Sequence, residues 1–525
     1  MKRLFFCLAL LVSSFLVQAQ FMKFAEGPVF PVPGQGFVKL LQLKDYTTIY
    51  FHVSSDTIRV QVYEPKYRAR TEETLVPAYG QLEAGNVAGI FEENGDAVLM
   101  VTDAKKIGTV LYRLVVDGKT GKLKDEKQLV ALKKNPGKKN PKATGTEAAE
   151  IAVRRDPVSE NYAVAMFRPF ESDTSKRVEI VLYNKDNKEI NRGTYIASTE
   201  KYKYIQFLDM IITGEKVSGI LYGYNIDPAT TAKTGDLILA TLNKGQNSIA
   251  FTELDYSNDL QLENAVARMD AGTKRILLVS YAKLNSETDK YKTFAGYIDL
   301  DLKKLVGNEA LGFSDKFKTK YADATGNKSG YAGIPQNVFI QADGLFNVVY
   351  EEMEAYTKDA DKFTVIRNPA VVTYNRDLQV QDNSFVVADQ LLEGVMLGTF
   401  YQSARDISGQ YFLNGNEFKS SYYINDGHNS FILFNDRDEN MRNTGSGKTA
   451  QFKSMDDADA FYVNLKANDI DPLRKYMFGK PAEGENHHPV IFNVSDYDNA
   501  NNILVTLFWD KAGTHPGYKL VWLQP

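Results

Sequence analysis

The stretch Val87 to Ala104, VAGIFEENGDAVLMVTDA, decides how the rest of the chain is read. An apolar, β-rich run leads into a short polar turn of Asn, Gly and Asp, and a second apolar run follows; that order reads as a β-hairpin. It returns in Ile151 to Phe170, Tyr204 to Asn225, Ala265 to Leu284, Pro335 to Met353, Tyr422 to Asp436 and Pro489 to Asp510. After most of these hairpins come a third run and often a fourth, as in TVLYRLVVDGKTGKLKDEKQLV and GDLILATLNKGQNSIAFTEL. Helical periodicity is scarce, with Ser454 to Asn464 as one short stretch that could carry a turn or two, and the abundant Tyr, Phe, Val and Ile suit a pleated, half-buried surface.

Four antiparallel strands per unit, recurring roughly every 50 to 90 residues, resemble the blades of a β-propeller. Seven units are clear, and FVKLLQLKDYTTIYFHVSSDTIRVQVYEPKY (Phe37 to Tyr67) supplies an eighth candidate. The expectation is an all-β chain forming a single propeller of seven or eight four-stranded blades over residues 20–525. Its last unit shows only three strands, and an N-terminal strand near Phe30 to Val38 would complete it and remove the open edges. Two smaller β domains joined near Gly307 to Gly333 are the alternative. No subfamily motif narrows the resemblance: Trp-Asp occurs once, at Trp509-Asp510, Gly-Gly never occurs, and Ser54-Ser55-Asp56-Thr57 departs from the sialidase Asp box at Ile58. Fold alone therefore assigns no activity.

The first residues, MKRLFFCLALLVSSFLVQAQ, carry Lys2 and Arg3, an apolar run and then Val17-Gln18-Ala19, the form of a secretory leader cleaved after Ala19. The run is shorter than the roughly 20 residues that span a membrane, so an exported, periplasmic or extracellular protein without a transmembrane anchor is expected. The single cysteine, Cys7, lies inside the leader. Disulfide frameworks, cysteine nucleophiles and cysteine-held metals are excluded for the mature chain. Losing Lys2 and Arg3 takes the formal charge from −4 to −6, mild for this length, which argues against nucleic acid as a partner.

Several segments imitate sites. Asn443 to Thr449 ends in Gly-Lys-Thr, but Arg442 stands where a phosphate-binding loop needs its first Gly. The five histidines, His52, His428, His487, His488 and His515, include no H-x-x-x-H pair, and adjacent strand residues face opposite ways. No G-x-S-x-G elbow is present. Lys119 to Lys142 reads as a solvated basic connection. Asp436, Asp438 and Asn440 alternate like the first ligands of a calcium loop, yet Met441 and Gly447 replace the Gly and Glu of an EF-hand. These three residues form the candidate calcium site, with Asx-capped turns as the plainer reading. In INDGHNSFILF the Asp426-Gly427 turn joins two strands and puts His428 at a strand end.

With no catalytic constellation in the sequence, the expected role is a binding or scaffold protein that presents one face to a protein or glycan. The alternative is a glycan-active hydrolase working through carboxylates in the central channel, since such pairs come from distant blades. Only Trp509 and Trp522, with the thirty tyrosines, are available as sugar platforms. Inward carboxylates beside a deep pocket would favour the enzyme; a channel lined by Tyr, Phe and neutral groups would favour the scaffold.

Overall fold

The turn at the centre of the Val87 to Ala104 stretch has both central residues at positive φ, Asn94 at 50° and Gly95 at 80°. This is the backbone that lets two right-twisted strands meet through two residues, and it joins Gly85–Glu93 to Asp96–Lys105. The computed structural model describes residues 21–525 except 107, 134–149, 169–173, 196–200, 229–232, 257–259, 285–289, 413–414, 428, 443–448, 467–468, 471 and 512–515. Residues 1–20 with Cys7, His428, His515, Asn443 to Lys448 and most of the basic segment's lysine pairs lie outside these residues.

The described strands form seven hydrogen-bonded sheets built from four-stranded up-and-down runs, arranged as a propeller-like ring. The strand that opens each run is Phe37–Gln42, Gly85–Glu93, Glu150–Arg155, Tyr204–Thr213, Leu260–Asp270, Ile334–Ile340, Tyr422–Asn425 or Val490–Asp498. Seven of these begin the hairpins quoted above. Two of the runs share one eight-stranded sheet, through a parallel contact of Thr194 and Tyr195 with Ser248 and Ile249.

Middle strands are buried on both faces because each run is covered by the next. Leu99 and Val101 pack on Phe51 and Val60, while Val98 and Met100 on the opposite face pack on Val164 and Tyr183. Trp522 in the last sheet packs between rings of the first, with centroids 5.4 Å from Tyr63 and 5.1 Å from Tyr67.

The C-terminal strand Gly517–Gln524 pairs with Met22–Glu26 and, further along, with Phe30–Pro31. Phe37 and Val38, expected near that pairing, instead open the first sheet. Pro31 can end a strand but cannot donate into a ladder, and the chain turns away there.

Ser454 to Asn464 forms only a single turn of 3-10 helix, Met455–Asp457, before the strand Ala458–Leu465, whose buried Phe461, Tyr462 and Val463 fill the faces on either side. Helix appears elsewhere. Asp315–Thr325 starts at Ser314, whose Oγ accepts from Phe317 N at 3.1 Å, and stops at Gly326 with φ 72°. Its Phe317 and Tyr321 enter a core that contains both Val266 and Val348, one from each side of the boundary in the two-domain alternative. No helix among the described residues is long and apolar enough to cross a membrane.

Candidate active site in the axial cavity

Most of the opening strands carry a polar residue within an apolar run, and these residues converge on the axis: Lys39, Arg154, Asp209, Arg268, Asn337 and Asp496. Local irregularities help to aim them. The ladder shifts register between Phe207 and Asp209, between Pro335 and Asn337, and between Ile491 and Asp496. An extra residue twists the strand and turns a side chain out of the inter-sheet core. Asp209 and Asn337 fix the shift by accepting from the next backbone N–H, Met210 and Val338 respectively, each at 2.9 Å.

One end of the axis is filled by the short helix Tyr401–Ile407, which belongs to the connection between the sixth and seventh opening strands. It starts at Phe400 with φ 58° and is held by side chains from around the ring. Tyr401 donates to Glu351 Oε2 at 2.7 Å. Arg405 is buried and donates to Ser421 O at 2.7 Å and to Asn493. Lys39 Nζ donates to Arg405 O at 3.2 Å, Arg268 Nη2 to Ser403 Oγ at 2.7 Å, and Asn337 Nδ2 to Asp406 Oδ2 at 2.6 Å.

Beyond the helix lies a cavity of about 1460 Å³. Ser403, Asp406 and Ile407 contribute to its lining from the helix. The opening strands and their first turns contribute Leu41 to Lys44, Phe91, Glu92, Arg154, Asp209, Arg268 and Asp496 to Asn501 among others.

The charges in this cavity are not equivalent. Asp209 is saturated: Oδ1 accepts from Arg154 Nε at 2.6 Å and Met210 N at 2.9 Å, while Oδ2 accepts from Ala267 N at 2.9 Å and lies 3.5 Å from Arg268 Nη1. Asp496 accepts from Gln42 N at 2.6 Å. Burial raises its pKa above the usual carboxylate value, the Lys39 ammonium opposes that, and the charges of Asp498 and Asp406 add to it. Lys39 is displaced the opposite way, because burial disfavours its ammonium more than Asp496 and Asp406 favour it. Asp406 is exposed to the cavity.

The cavity thus holds one carboxyl group biased toward keeping its proton and a second carboxylate on the helix close enough to be felt by it. Such a pair can divide acid and base roles.

Next to Glu92 in the chain, Glu93 is buried. Arg155 Nε lies 3.2 Å from its Oε1, but neither oxygen makes an aligned hydrogen bond. Burial pushes the Glu93 carboxyl up to about 8 against the pull of Arg155. Lys44 meets Glu160 nearby, and its backbone N–H donates to Glu92 Oε2 at 3.1 Å.

The candidate calcium residues lie away from the axis. Asp436 is fully buried, ion-paired with Arg474, and accepts from Asn440 Nδ2 at 2.7 Å and Arg437 N at 2.8 Å. Asn440 Oδ1 accepts from Ala450 N at 2.7 Å. Asp438 meets Tyr476 and lies 3.4 Å from Lys480 Nζ. Asp436 and Asn440 come together, whereas Asp438 points to other partners. No group of three or more His, Cys, Asp or Glu side chains placed to hold a metal occurs among the described residues.

His487 pairs through Nδ1 with Asp459 Oδ2 at 2.8 Å, and His52 Nε2 lies 3.1 Å from Gly34 O. Neither tryptophan lines the cavity. Trp522 is buried and donates to Thr48 Oγ1 at 3.0 Å, and Trp509 packs on Phe418 and Tyr518. Phe91 and Tyr497 are the aromatic rings at the cavity wall.

The axial residues went unread in the sequence. The signal that could have found them is an ionisable side chain inside an apolar strand, as at Lys39 in FVKLLQ and Asp209 in YIQFLDMIIT.

No family model and no curated protein matches the chain. Among solved structures it is similar to the alpha-L-arabinanase of Cellvibrio cellulosa complexed with arabinohexaose, at 12% identity and TM-score 0.24 over 53% of this chain and 96% of that one. It is similar to the polysaccharide lyase Uly1 at 10% identity and TM-score 0.35 over 96% and 99%. A third likeness is to prolyl oligopeptidase B of Galerina marginata, at 9% identity and TM-score 0.40 over 93% of this chain and 55% of that one. Likeness this distant leaves function to be argued from the cavity itself.

Proposed function

We propose that the protein is an exported glycan-active hydrolase whose axial cavity receives the sugar. Asp496 is the proton donor to the leaving oxygen, and Asp406 is the carboxylate that activates water. The observation that carries this reading is the pairing in one deep cavity of a carboxyl with a raised pKa, Asp496, and an exposed carboxylate, Asp406. In the reaction the Asp496 proton passes to the glycosidic oxygen as the C–O bond breaks. A water gives a proton to Asp406 and its oxygen to the anomeric carbon. Lys39, itself buried, opposes the rise in the Asp496 pKa and touches no substrate in this scheme.

The ring is read as eight blades, counting the two halves of the eight-stranded sheet separately and taking Met22–Glu26 as the outer strand of the last. That closure joins the chain ends and holds the cavity walls together. A leader cleaved after Ala19 agrees with a polymeric substrate met outside the cytoplasm.

Turnover of a panel of plant, algal and bacterial polysaccharides, followed by reducing-end release, tests the reading. Asp496→Asn and Asp406→Asn are each expected to lower kcat by about 10²- to 10⁴-fold with KM little changed. Wild-type protein that binds glycans without cleaving any would return the assignment to a binding protein.

A further inference from the structure

We infer that the glycan is acidic, and that Arg154 receives the negative charge of a uronate carboxylate or sulfate ester. This rests on reading the cavity as a glycan site. Arg154 and Arg268 lie on neighbouring opening strands either side of Asp209, so two guanidinium groups share one carboxylate. Arg268 is fully committed: Nε donates to Val338 O at 3.1 Å, Nη1 to Ala267 O at 2.9 Å, and Nη2 to Asn337 Oδ1 at 3.0 Å and Ser403 Oγ at 2.7 Å.

Arg154 is committed only in part. Nε is taken by Asp209 and Nη1 by Val153 O at 2.9 Å. Nη2 has no hydrogen-bonding partner among the described residues. The side chain lines the cavity at 27% exposure, with its guanidinium 5.5 Å from the Phe207 ring centroid. The group is therefore anchored on its inner edge and presents its outer nitrogen to the cavity.

Asp209 already meets four donors and divides its one charge between two guanidinium groups. Asp156, just past the end of the strand, has its oxygens turned to Val158 N at 3.0 Å, Ser159 Oγ at 2.6 Å and Gly214 N at 2.9 Å, and Glu150, four residues before Arg154 on the strand, is the further acid whose charge reaches it. A sugar hydroxyl could accept from Nη2, but it would answer only the open donor. An anion meets both the donor and the charge. The strands Phe37–Gln42 and Gly85–Glu93 separate Arg154 from Asp496 around the ring, so the charged substituent and the scissile bond occupy different parts of the cavity.

Calorimetric binding to wild-type protein tests this without any variant. The probes are oligogalacturonate, oligoalginate and glucuronate oligosaccharides against their carboxyl-reduced counterparts, and sulfated oligosaccharides against desulfated ones. At least one acidic probe is expected to bind about tenfold or more tightly than its neutral counterpart. In folded Arg154→Met that advantage disappears, and an advantage that survives the substitution overturns the assignment to Arg154. Equal affinity within every pair overturns the inference, whichever glycans are cleaved. An acidic preference without any cleavage sinks the hydrolase reading and leaves the anion subsite standing.

Discussion

Glu93 shows how a single side chain can tie stability to pH. Its carboxyl stands at about 8 in the folded chain against an ordinary 4.5. The folded state therefore holds a proton that the unfolded state releases between those values, and stability falls as pH rises through that window. Glu93→Gln removes the ionisation while keeping the shape. Unfolding free energies of the two proteins, from denaturant titration, should run close together near pH 5 and separate in favour of the variant by pH 9, by about 1–3 kcal/mol. A difference that does not change with pH would show that Arg155 compensates the charge fully. At Asp436 the question is calcium, and its oxygens are already met by Arg474, Asn440 and the Arg437 amide. Millimolar calcium should accordingly leave the melting temperature where it was, and a rise that saturates with calcium would establish the site.

At the scale of elements, the hairpins were legible and the helices were not. Each quoted hairpin supplies the first two strands of a sheet run, because apolar runs broken by Gly, Asp and Asn follow from local chemistry. Asp315–Thr325 had local marks as well, a Ser before it and a Gly after it, but its apolar face is only Phe317, Tyr321 and Ala324. That face has meaning only against Phe385 and Tyr331. The axial site was illegible for a related reason. Whether Asp209 or Asp406 faces an axis depends on bulges and on packing between strands hundreds of residues apart, and no local pattern encodes that.

Two substitutions test these elements. Ser314→Ala removes the cap of the longer helix and should cost about 1 kcal/mol in denaturant unfolding. Tyr401→Phe deletes the hydroxyl that holds the axial helix to Glu351 and Ser420, and should cost about 1–3 kcal/mol, since a buried carboxylate loses a donor. An unchanged midpoint in either would mean that water replaces the lost bond.

For the molecule as a whole, the strand Met22–Glu26 covers one edge of Gly517–Gln524, and Phe21 and Phe30 beside it are buried. Removing residues 21–31 should lower the melting temperature and open that edge, giving concentration-dependent association in size-exclusion chromatography. A truncated chain that stays monomeric with the same melting point would refute a structural role for the strand. The axial helix carries a different consequence. Its Arg405 is bonded to Lys39, 366 residues earlier, and to Asn493, 88 residues later. Contacts of such separation must wait for almost the entire polypeptide to be ordered, and they make folding slow. The cavity therefore acquires its floor only late in assembly, once strands from both ends of the chain are in place to hold the helix.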